Sequence, residues 1–558
     1  METQAQNKIN RGILLLKGLL FLIIGVGLFF MLQRLFLPKD ITDVINPGYF
    51  VEHESQNKQV LLLGSSHMTQ GVYPMELYEQ QGIVSYNAAS GAQTMASSYL
   101  MLSYALKQSD LEACVLDVSS LFYTEEADKQ LDIRMRYVID ALPLCREKLE
   151  LARIYAGLSE EKPAEAFWSA LFPILQYHSR WDELEMEDFS SFFSLPDYHN
   201  MGAYMCAYSV PGRWSQEDVN AIAEAMSQSD TAITVTYENG QTTLTTQEDP
   251  LYTAEIPQEN LEWLLKIRDL CDQYGCQLLL TKIPCIYGPN EEWSAWTEQR
   301  SDAVKAMSET YGLDFLDLLY DVDLGLQEET DTMDGGAHLN YLGAQKVTAY
   351  LGSYLKEHYQ LEARVDPDFE AELESYHRNC QIAELGLTTD MVDYLSKLTE
   401  HQADWVVCLA AGGDMRSGLT DAERAALKGL GLQADFEATP GVWDSYLAVL
   451  DGGEVVYEAA SNRALSDTWQ TSTGTELELN SAGFLAGDAG SISVDGTVKV
   501  SGSGLNLVVL DRETGLPVDC LTFSTNLPVE QGDSHSATRD LEQVYLLLLD
   551  YWKYSAVG

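Results

Sequence analysis

Basic residues are scarce in this chain of 558 residues: 34 Lys and Arg stand against 85 Asp and Glu, a formal net charge of −51 at pH 7. A surface this acidic repels the phosphate backbones of DNA and RNA, so the composition excludes a nucleic-acid-binding protein. Charged residues nevertheless make up only 21% of the chain, and hydrophobic residues make up 46%. These proportions are typical of chains that build a folded core, and they exclude an acidic disordered protein.

Cysteine is also sparse. The nine cysteines are odd in number and none belongs to a CxxC pair, a pattern that predicts neither a zinc site nor a dense disulfide framework. Cys271 with Cys276, and Cys408 with Cys520, are two pairs that could form disulfides in an oxidising compartment, and the sequence leaves this open. We predict no metal site and no cofactor, and the chain has no internal repeat.

The first forty residues differ from the rest in charge. They hold five basic and two acidic side chains, which leaves a net charge of −54 on the remainder. Sixteen uncharged residues lie between Lys17 and Arg34, and their apolar flanks extend this run to the roughly 20 residues that span a bilayer. A cleaved signal peptide is the alternative, but no small-residue cleavage motif follows. We predict a cytoplasmic tail and transmembrane anchor at 1–40.

The basic residues lie slightly more on the N-terminal side of this apolar run. That bias favours a cytoplasmic N-terminus and an extracytoplasmic body. We therefore predict a single-pass protein of the cell membrane.

From about residue 58 the sequence alternates short apolar runs with amphipathic segments, a pattern typical of a parallel sheet covered by helices on both faces. We predict an α/β domain at 41–363, and the polar residues 186–255 within it indicate an insertion. The charged residues 364–403 predict a helical connector. The short β-branched runs of 404–558 predict a second, β-rich domain.

Three segments carry residues suited to catalysis. Gly64-Ser65-Ser66 directly follows the first apolar run, which places a hydroxyl at the carboxyl end of a buried strand, where open α/β sheets bind their ligands. Asn87 and Gly91 follow the next strand candidate. A glycine in such a turn can present its N–H to a developing oxyanion. Both segments are also ordinary connections between a strand and a helix.

The third segment places His338 shortly after Asp331 and Asp334 and before an amphipathic helix. An aspartate can hold a histidine in one tautomer, and the histidine can then take a proton from a serine. A lone histidine before a helix is usually structural, but here the acid, the imidazole and an upstream hydroxyl turn occur together.

In their order and composition these segments resemble the SGNH/GDSL hydrolase family over about residues 58–360. The matching residues are Gly64-Ser65-Ser66, Asn87, Gly91, Thr94, His338-Leu339-Asn340 and Gly343-Ala344. The narrower resemblance is to the membrane-anchored branch that works in cell-envelope acyl transfer. That branch includes the proteins of teichoic-acid D-alanylation and of exopolysaccharide O-acetylation.

The resemblance implies a flavodoxin-like, three-layer α/β/α domain with a parallel sheet, and it implies a role for each residue. Ser66 is the expected nucleophile, His338 the base, and Asp334 the acid that orients the imidazole. The amides of Ser66 and Gly91 are the expected oxyanion donors. Asn87 is a candidate for the substrate cleft.

The sequence departs from the family in two places. The acid normally lies three residues before the histidine, but that position is Gly335, so which of Asp334 and Asp331 completes the triad stays open. The block that normally supplies an asparagine to the oxyanion hole is absent from the corresponding residues 115–120, which overlap the end of the strand candidate at 113–118, and Ser119 is the candidate replacement. Membrane-bound acyltransferase relatives also lose this block, so its loss favours that branch.

Two further sites are candidates for the substrate cleft. His67 lies beside the nucleophile. Residues 177–181 resemble a segment that recurs in the same branch, which makes His178 and Arg180 cleft candidates. The alternative for this segment is an aromatic helix end whose histidine and arginine are solvated.

Residues 404–525 resemble the interleukin-like EMT inducer domain, which is also the stem domain of a mammalian O-mannose glycan-processing transferase. The most specific match is the stretch from Gly504 to Gly515. The resemblance implies a β-sandwich-like domain without catalytic machinery, and some members of that family bind glycans. A structural or partner-binding module is the alternative. Trp443 and Trp469 are candidates for stacking on sugars or for the core.

Together these resemblances imply a membrane-anchored, extracytoplasmic serine O-acyltransferase or esterase that acts on acyl esters, with acetyl the expected group, of a cell-surface glycan. A multispanning membrane O-acyltransferase is the expected partner. The alternatives are a carbohydrate esterase that works by hydrolysis and a noncatalytic envelope protein whose SGNH domain is degenerate and which binds glycan or a partner. The acidic body disfavours direct capture of polyanionic teichoic acid and favours a neutral or weakly charged glycan.

Overall fold

The computed structural model describes most of the chain, with gaps. The described ranges are 2–38, 42–54, 57–123, 131–159, 162–184, 188–189, 200–207, 233–238, 241–246, 254–285, 291–333, 336–437, 444–484 and 486–525.

The chain begins with one long helix, α1 (Glu2–Phe36). Its segment Leu14–Phe36 has a mean hydropathy of 2.5. Residues 14–32 of it are exposed, and Leu35 near its end is buried. Within the described part of the chain, this is the segment long and apolar enough to cross a membrane.

A five-stranded parallel sheet forms the centre of the following part, in the order β2-β1-β3-β6-β7. Its strands are β1 (Val60–Leu63), β2 (Ser85–Asn87), β3 (Ala113–Asp117), β6 (Gln277–Lys282) and β7 (Asp314–Asp317). Strands β4 (Ile233–Glu238) and β5 (Gln241–Thr246) form a separate antiparallel hairpin. The expected α/β architecture with a parallel sheet is confirmed.

Both faces of this sheet are buried at its centre, which explains why β1 is a continuous apolar run and why β3 is apolar up to Asp117. In β1, Leu61 and Leu63 join one hydrophobic cluster while Val60 and Leu62 join another on the opposite face. The described helices of this part surround the sheet, and most of them contribute side chains to these two clusters. They are α2 (Thr42–Tyr49), α3 (Ser66–Gly71), α4 (Pro74–Gln81), α5 (Met95–Ala105), α6 (Leu131–Ala141), α7 (Arg146–Leu158), α8 (Pro163–Leu171), α9 (Pro173–Tyr177), α10 (Gln258–Tyr274), α11 (Glu291–Tyr311), α12 (Glu328–Asp331) and α13 (Tyr341–His358).

The strand order creates a switch point between β1 and β3. From β1 the chain moves outward to β2, and it then crosses back to β3 and continues in the opposite direction to β6 and β7. At such a point the loops after two neighbouring strands diverge and leave a crevice at their carboxyl ends. The residues after β1 and β3 therefore meet in one place.

Residues 200–207, which belong to the predicted insertion, are bound to the α/β part. The Met201 carbonyl accepts from the Asn87 amide at 2.9 Å, and the Cys206 carbonyl accepts from the Tyr341 amide at 2.8 Å. The Tyr204 amide donates to the Thr69 carbonyl at 2.7 Å. This short segment thus lies across the loops that follow β1 and β2.

Two helices connect the α/β part to the C-terminal part: α14 (Pro367–Leu387) and α15 (Met391–Glu400). The Tyr376 hydroxyl donates to Glu76 at 2.6 Å, while Arg378 donates to Asp511 at 2.6 Å. The Tyr394 hydroxyl donates to Asp519 at 2.8 Å. The predicted connector is therefore helical and is packed between the two parts.

The C-terminal part consists of two antiparallel sheets, with strand orders β10-β9-β8-β15-β16 and β11-β12-β13-β14. Apolar residues of both sheets share one cluster, and the opposite face of the larger sheet packs against the connector helices and α16 (Asp421–Gly429). The strands are β8 (Trp405–Gly412), β9 (Ser445–Asp451), β10 (Glu454–Ser461), β11 (Leu465–Gln470), β12 (Glu476–Ser481), β13 (Gly490–Val494), β14 (Thr497–Gly502), β15 (Gly504–Asp511) and β16 (Pro517–Phe523). The expected β-rich C-terminal part is confirmed.

All nine cysteines are free thiols in this structure. Cys408 and Cys520 each lie opposite Val508, on the two strands that flank β15. Two strand spacings of about 4.8 Å each, about 10 Å in all, separate their Cα atoms. A disulfide spans at most roughly 7 Å between Cα atoms. The register therefore excludes this pair as a disulfide.

Candidate active site

The end of β1 and the start of α3 position Ser66. Gly64 has φ +139, and a Cβ atom at this position would lie 2.5 Å from the Cβ of Asp117. Only glycine therefore allows the ends of β1 and β3 to approach this closely. Ser65 caps α3 by accepting from the His67 amide, and Ser66 follows as the first helical residue, half-buried at the carboxyl edge of the sheet.

His338 lies at hydrogen-bond distance from this serine. The distance between Ser66 Oγ and His338 Nε2 is 2.8 Å, although the two residues are 272 positions apart in the sequence. A hydroxyl in contact with an imidazole is the arrangement of a nucleophile and its general base. The structure thus brings together the two residues that the sequence assigned to these roles.

Asn340 fixes the loop that carries His338. Its Oδ1 accepts from the Leu342 and Gly343 amides and so caps α13, and its Nδ2 donates to the Thr330 and Thr332 carbonyls. The Met333 amide closes the turn by donating to the His338 carbonyl at 3.0 Å. The imidazole is therefore held from both sides of its loop.

Of the two candidate acids, the structure describes Asp331. Asp331 is buried, and its Oδ2 accepts from Lys346 Nζ and from the Gln327 amide, each at 2.7 Å. These contacts anchor the loop to α13. Asp334 lies outside the described residues, so its pairing with His338 stays a prediction.

A second network lies beside the Ser66–His338 pair and centres on Asp117. This carboxylate is fully buried, and it accepts from the hydroxyls of Ser65 at 2.7 Å and Ser119 at 3.2 Å. Burial raises the pKa of Asp117, and the hydrogen bonds from both serines oppose that shift. The network therefore holds a buried acidic group close to the nucleophile.

His67 completes this network. Its Nδ1 lies 3.3 Å from the oxygens of both Ser65 and Ser119. Each hydroxyl has one proton, and both protons are donated to Asp117. His67 Nδ1 must therefore carry a proton and donate it, which leaves Nε2 of a neutral His67 as a hydrogen-bond acceptor.

The rings of His67 and His338 lie close together, with centroids 4.9 Å apart. Two imidazoles thus border the Ser66 hydroxyl. Ser119 bridges Asp117 and His67. The assignment of His67 to the cleft and of Ser119 to the oxyanion hole stays a prediction.

The second predicted block lies beside the nucleophile. The Ser90 amide donates to the Gly64 carbonyl at 3.2 Å, so the loop that contains the half-buried Gly91 runs next to the Ser66 turn. Asn87 is fully buried, and its Nδ2 donates to the carbonyls of Met68 and Val72. Asn87 therefore ties the end of β2 to α3, the helix that begins at Ser66.

His178 and Arg180 lie in a 3₁₀ turn, His178–Asp182, after α9. His178 is exposed, with its Nδ1 3.3 Å from the Leu175 carbonyl. Arg180 donates to the Phe36 carbonyl at 3.0 Å and pairs with Asp188 at 3.4 Å. Arg180 thus contacts the end of α1, and the assignment of His178 and Arg180 to the cleft stays a prediction.

Sequence reasoning missed Asp117 and Ser65 as site residues. Their importance depends on β1 and β3 being neighbours, which no local pattern reveals. The one available signal was an aspartate at the end of a fully apolar strand, directly before a serine-rich turn. Of the two tryptophans singled out for sugar binding, Trp469 is half-buried against the core between the C-terminal sheets, and Trp443 lies outside the described residues.

Among the residues that the structure describes, no group of three or more His, Cys, Asp or Glu side chains is arranged to hold a metal ion. Neither the family models nor the curated proteins that we compared with this chain gave a match. Function is therefore inferred from the geometry of the site and from the order of its motifs.

Proposed function

We propose that this protein is an SGNH-type serine O-acyltransferase or esterase, anchored in the cell membrane by α1, whose extracytoplasmic body acts on acyl esters of a cell-surface glycan. The observation that carries this proposal is the 2.8 Å contact between Ser66 Oγ and His338 Nε2 at the switch point of the sheet. Two distant, separately capped loops converge on that contact, which supports a functional pair.

In the proposed reaction Ser66 attacks the carbonyl carbon of the ester while His338 Nε2 takes the hydroxyl proton. The tetrahedral intermediate places its negative charge near the amides of Ser66 and Gly91, and such a donor is typically worth about 2.7–4 kcal/mol. His338 then returns the proton to the leaving oxygen, and the acyl group stays on Ser66. Asp334 is the proposed partner that orients His338.

In the second half of the reaction an acceptor hydroxyl takes the acyl group from Ser66. His338 removes the proton of that hydroxyl and gives it to Ser66 Oγ as the bond between Ser66 and the acyl group breaks. A sugar acceptor gives transfer, and water gives hydrolysis. His67 Nε2 is the proposed hydrogen-bond acceptor that holds a sugar hydroxyl beside the acyl group. A multispanning O-acyltransferase that supplies acyl groups through the membrane is the proposed partner for transfer.

The full-length protein in detergent micelles allows a direct test. We expect a fluorophosphonate probe to label the wild-type protein and to leave Ser66→Ala and His338→Ala unlabelled. Ser353→Ala, which changes an exposed serine on α13, is the matched control and should label like the wild type. Labelling that does not depend on Ser66 would contradict serine chemistry and would favour the noncatalytic alternative.

A second measurement separates transfer from hydrolysis. The protein is given a small acetyl ester, with and without a neutral oligosaccharide. Transfer predicts faster consumption of the ester with acceptor present, and acetyl groups on the oligosaccharide. Consumption of the ester at the same rate with and without the oligosaccharide, with acetate as the sole product, would favour the carbohydrate esterase.

Glycan binding by the C-terminal part is a separate proposal, supported by the resemblance and by its two antiparallel sheets. Retention of the inactive Ser66→Ala protein on a glycan array would support it when Trp469→Ala lowers that retention. An array on which neither protein is retained would favour a structural role.

A further inference from the structure

One surface of the α/β part is in contact with the apolar helix. The Phe29 and Phe172 rings meet edge to face with centroids 5.3 Å apart. The Ile174 amide donates to Gln33 Oε1 at 3.0 Å. Together with the Arg180 bond to the end of α1, these contacts place α9 and the following turn along the last two turns of that helix.

Next to these contacts the protein exposes large apolar side chains. Trp168 is 52% exposed, Leu175 52% and Trp181 70%. Trp168 stacks on Phe172 with a centroid distance of 6.1 Å, which continues the row of rings that begins at Phe29. We call Trp168, Phe172, Leu175 and Trp181 the apolar patch.

The position of this patch along α1 can be worked out from helix geometry. Phe29 lies seven residues before Phe36, where the apolar segment ends, and five before Arg34, whose side chain pairs with Glu52. At a rise of 1.5 Å per residue, Phe29 is about 7–10 Å below the end of the segment. The whole segment of 23 residues is about 34 Å long, close to the roughly 30 Å of a hydrocarbon core.

If α1 crosses the membrane, this arithmetic places Phe172 at the boundary between headgroups and acyl chains. Interfacial helices bury their apolar faces about 5–10 Å into that boundary. Tryptophan is the residue most enriched there, because its ring is apolar while its N–H can stay hydrated. The tryptophans of the patch and its depth along α1 are therefore both typical of a segment at the membrane interface.

The patch is also firmly attached to the rest of the protein. The Tyr177 hydroxyl donates to Asp140 Oδ2 at 2.8 Å, and Asp140 pairs with Arg136 at 2.9 Å inside the core. The Arg136 guanidinium lies between the rings of Tyr155 and Tyr177, 5.6 and 5.7 Å from their centroids. Because breaking a buried ion pair is costly, this cluster fixes the direction in which the patch faces.

We propose that the apolar patch inserts into the outer lipid–water interface beside α1 and holds the body of the protein against the bilayer. This inference rests on the proposed membrane anchor. It gives the Ser66 site a fixed orientation to the membrane, the place from which a membrane-borne acyl donor would deliver its group. The occupant is the phospholipid bilayer itself, because the patch continues the apolar surface of α1.

Quenching of tryptophan fluorescence by brominated lipids tests this proposal. The full chain is reconstituted in vesicles of phosphatidylcholine with phosphatidylglycerol, with and without brominated acyl chains. Helix α1 contains no tryptophan, so the anchor does not contribute to the signal. We expect Trp168→Phe with Trp181→Phe to lose more than half of the quenching, and Trp469→Phe, changed in the C-terminal sheets, to keep it.

Two controls separate this inference from the proposals beneath it. Release of the protein from vesicles by alkaline carbonate would overturn the anchor, whereas retention without any loss of quenching in the double variant would overturn the patch alone. Fluorophosphonate labelling of the double variant at the wild-type rate shows that its fold and site are intact. Quenching equal in all proteins would mean that the patch faces away from lipid, as it would if it bound a membrane protein.

Discussion

The Asp117→Asn variant separates the chemistry of the site from its stability. Asn has nearly the shape of Asp, so the packing between β1 and β3 is kept. It carries one oxygen and one NH₂ group, however, where the carboxylate has two oxygens. One of the two serines must then accept from Asn and can turn its own proton towards His67 Nδ1, so His67 is no longer fixed with its proton on Nδ1.

The raised pKa of Asp117 sets the sign of the stability change. Burial outweighs the hydrogen bonds to the carboxylate, so the folded protein holds the charged form less well than the unfolded chain does. Each tenfold difference in proton affinity between the folded and unfolded states is worth about 1.4 kcal/mol. A neutral Asn avoids this cost, and we expect the variant to be as stable as the wild type, or more stable, at pH 7.

The pH dependence follows from the same pKa. Stability contributed by a protonated Asp117 is fully present below the pKa of an unfolded aspartate and is lost as the pH rises through the higher pKa of the folded protein. The stability of the wild type should therefore rise relative to that of the variant as the pH falls from 7 towards 4. Thermal unfolding of both proteins across this range, under the same buffer and detergent conditions, measures the difference.

Activity should move in the opposite direction from stability. Labelling of Ser66 by the fluorophosphonate probe needs only Ser66 and His338, so we expect it to stay within about threefold of the wild type. In the proposed reaction acetyl transfer to an oligosaccharide uses the Nε2 acceptor of His67. We expect transfer to fall about a hundredfold, the lower end of the range for one oriented catalytic hydrogen bond. A large loss of stability at pH 7, or unchanged transfer, would refute the role assigned to Asp117.

Three further variants test other parts of the structure. His67→Asn keeps a donor to Ser65 and Ser119 but lacks Nε2, so transfer should fall at least tenfold while probe labelling persists; equal loss of both would place His67 in the first half of the reaction. Gly64→Ala puts a Cβ against Asp117 at positive φ and should cost about 1–3 kcal/mol of stability with loss of labelling, whereas Gly157→Ala, with open space around it, should be neutral in the same thermal melt. Arg378→Met removes the cation that pairs with the buried Asp511 carboxylate, which still accepts from the Glu513 and Thr514 amides. The change should cost about 1–3 kcal/mol and expose the connector to limited proteolysis; an unchanged digest would mean that the two parts are held without this pair.

The elements that the sequence predicted well are those whose signal is local. The apolar runs of β1, β3 and β6 are buried on both sides, so their composition alone indicates strands in a covered sheet. The Gly-Ser-Ser turn is also a local signal. Glycine follows β1 because any side chain there would collide with Asp117. The helix of residues 14–36 follows from length and hydropathy.

What the sequence could not predict depends on which elements are neighbours. The resemblance of residues 177–181 could not predict that Arg180 donates to the Phe36 carbonyl at the end of α1, because nothing in that segment shows that α9 and its following turn pack along α1. Asp117 was noted only as part of an altered block. Its role can be recognised once β3 is known to lie beside β1, because its carboxylate then accepts hydrogen bonds from the hydroxyls of Ser65 and Ser119.

The charge of the body bears directly on the apolar patch. A net charge of −54 beyond residue 40 repels anionic headgroups over a Debye length of about 8 Å, so electrostatic attraction cannot hold the body to such a membrane. The anchor alone supplies a local concentration on the order of millimolar. Partial burial of two tryptophans and a leucine, at about 1.5–3 kcal/mol for each fully buried side chain, adds several kcal/mol without using charge. For so acidic a protein, apolar insertion beside α1 is the interaction that would keep the Ser66 site facing a donor in the membrane.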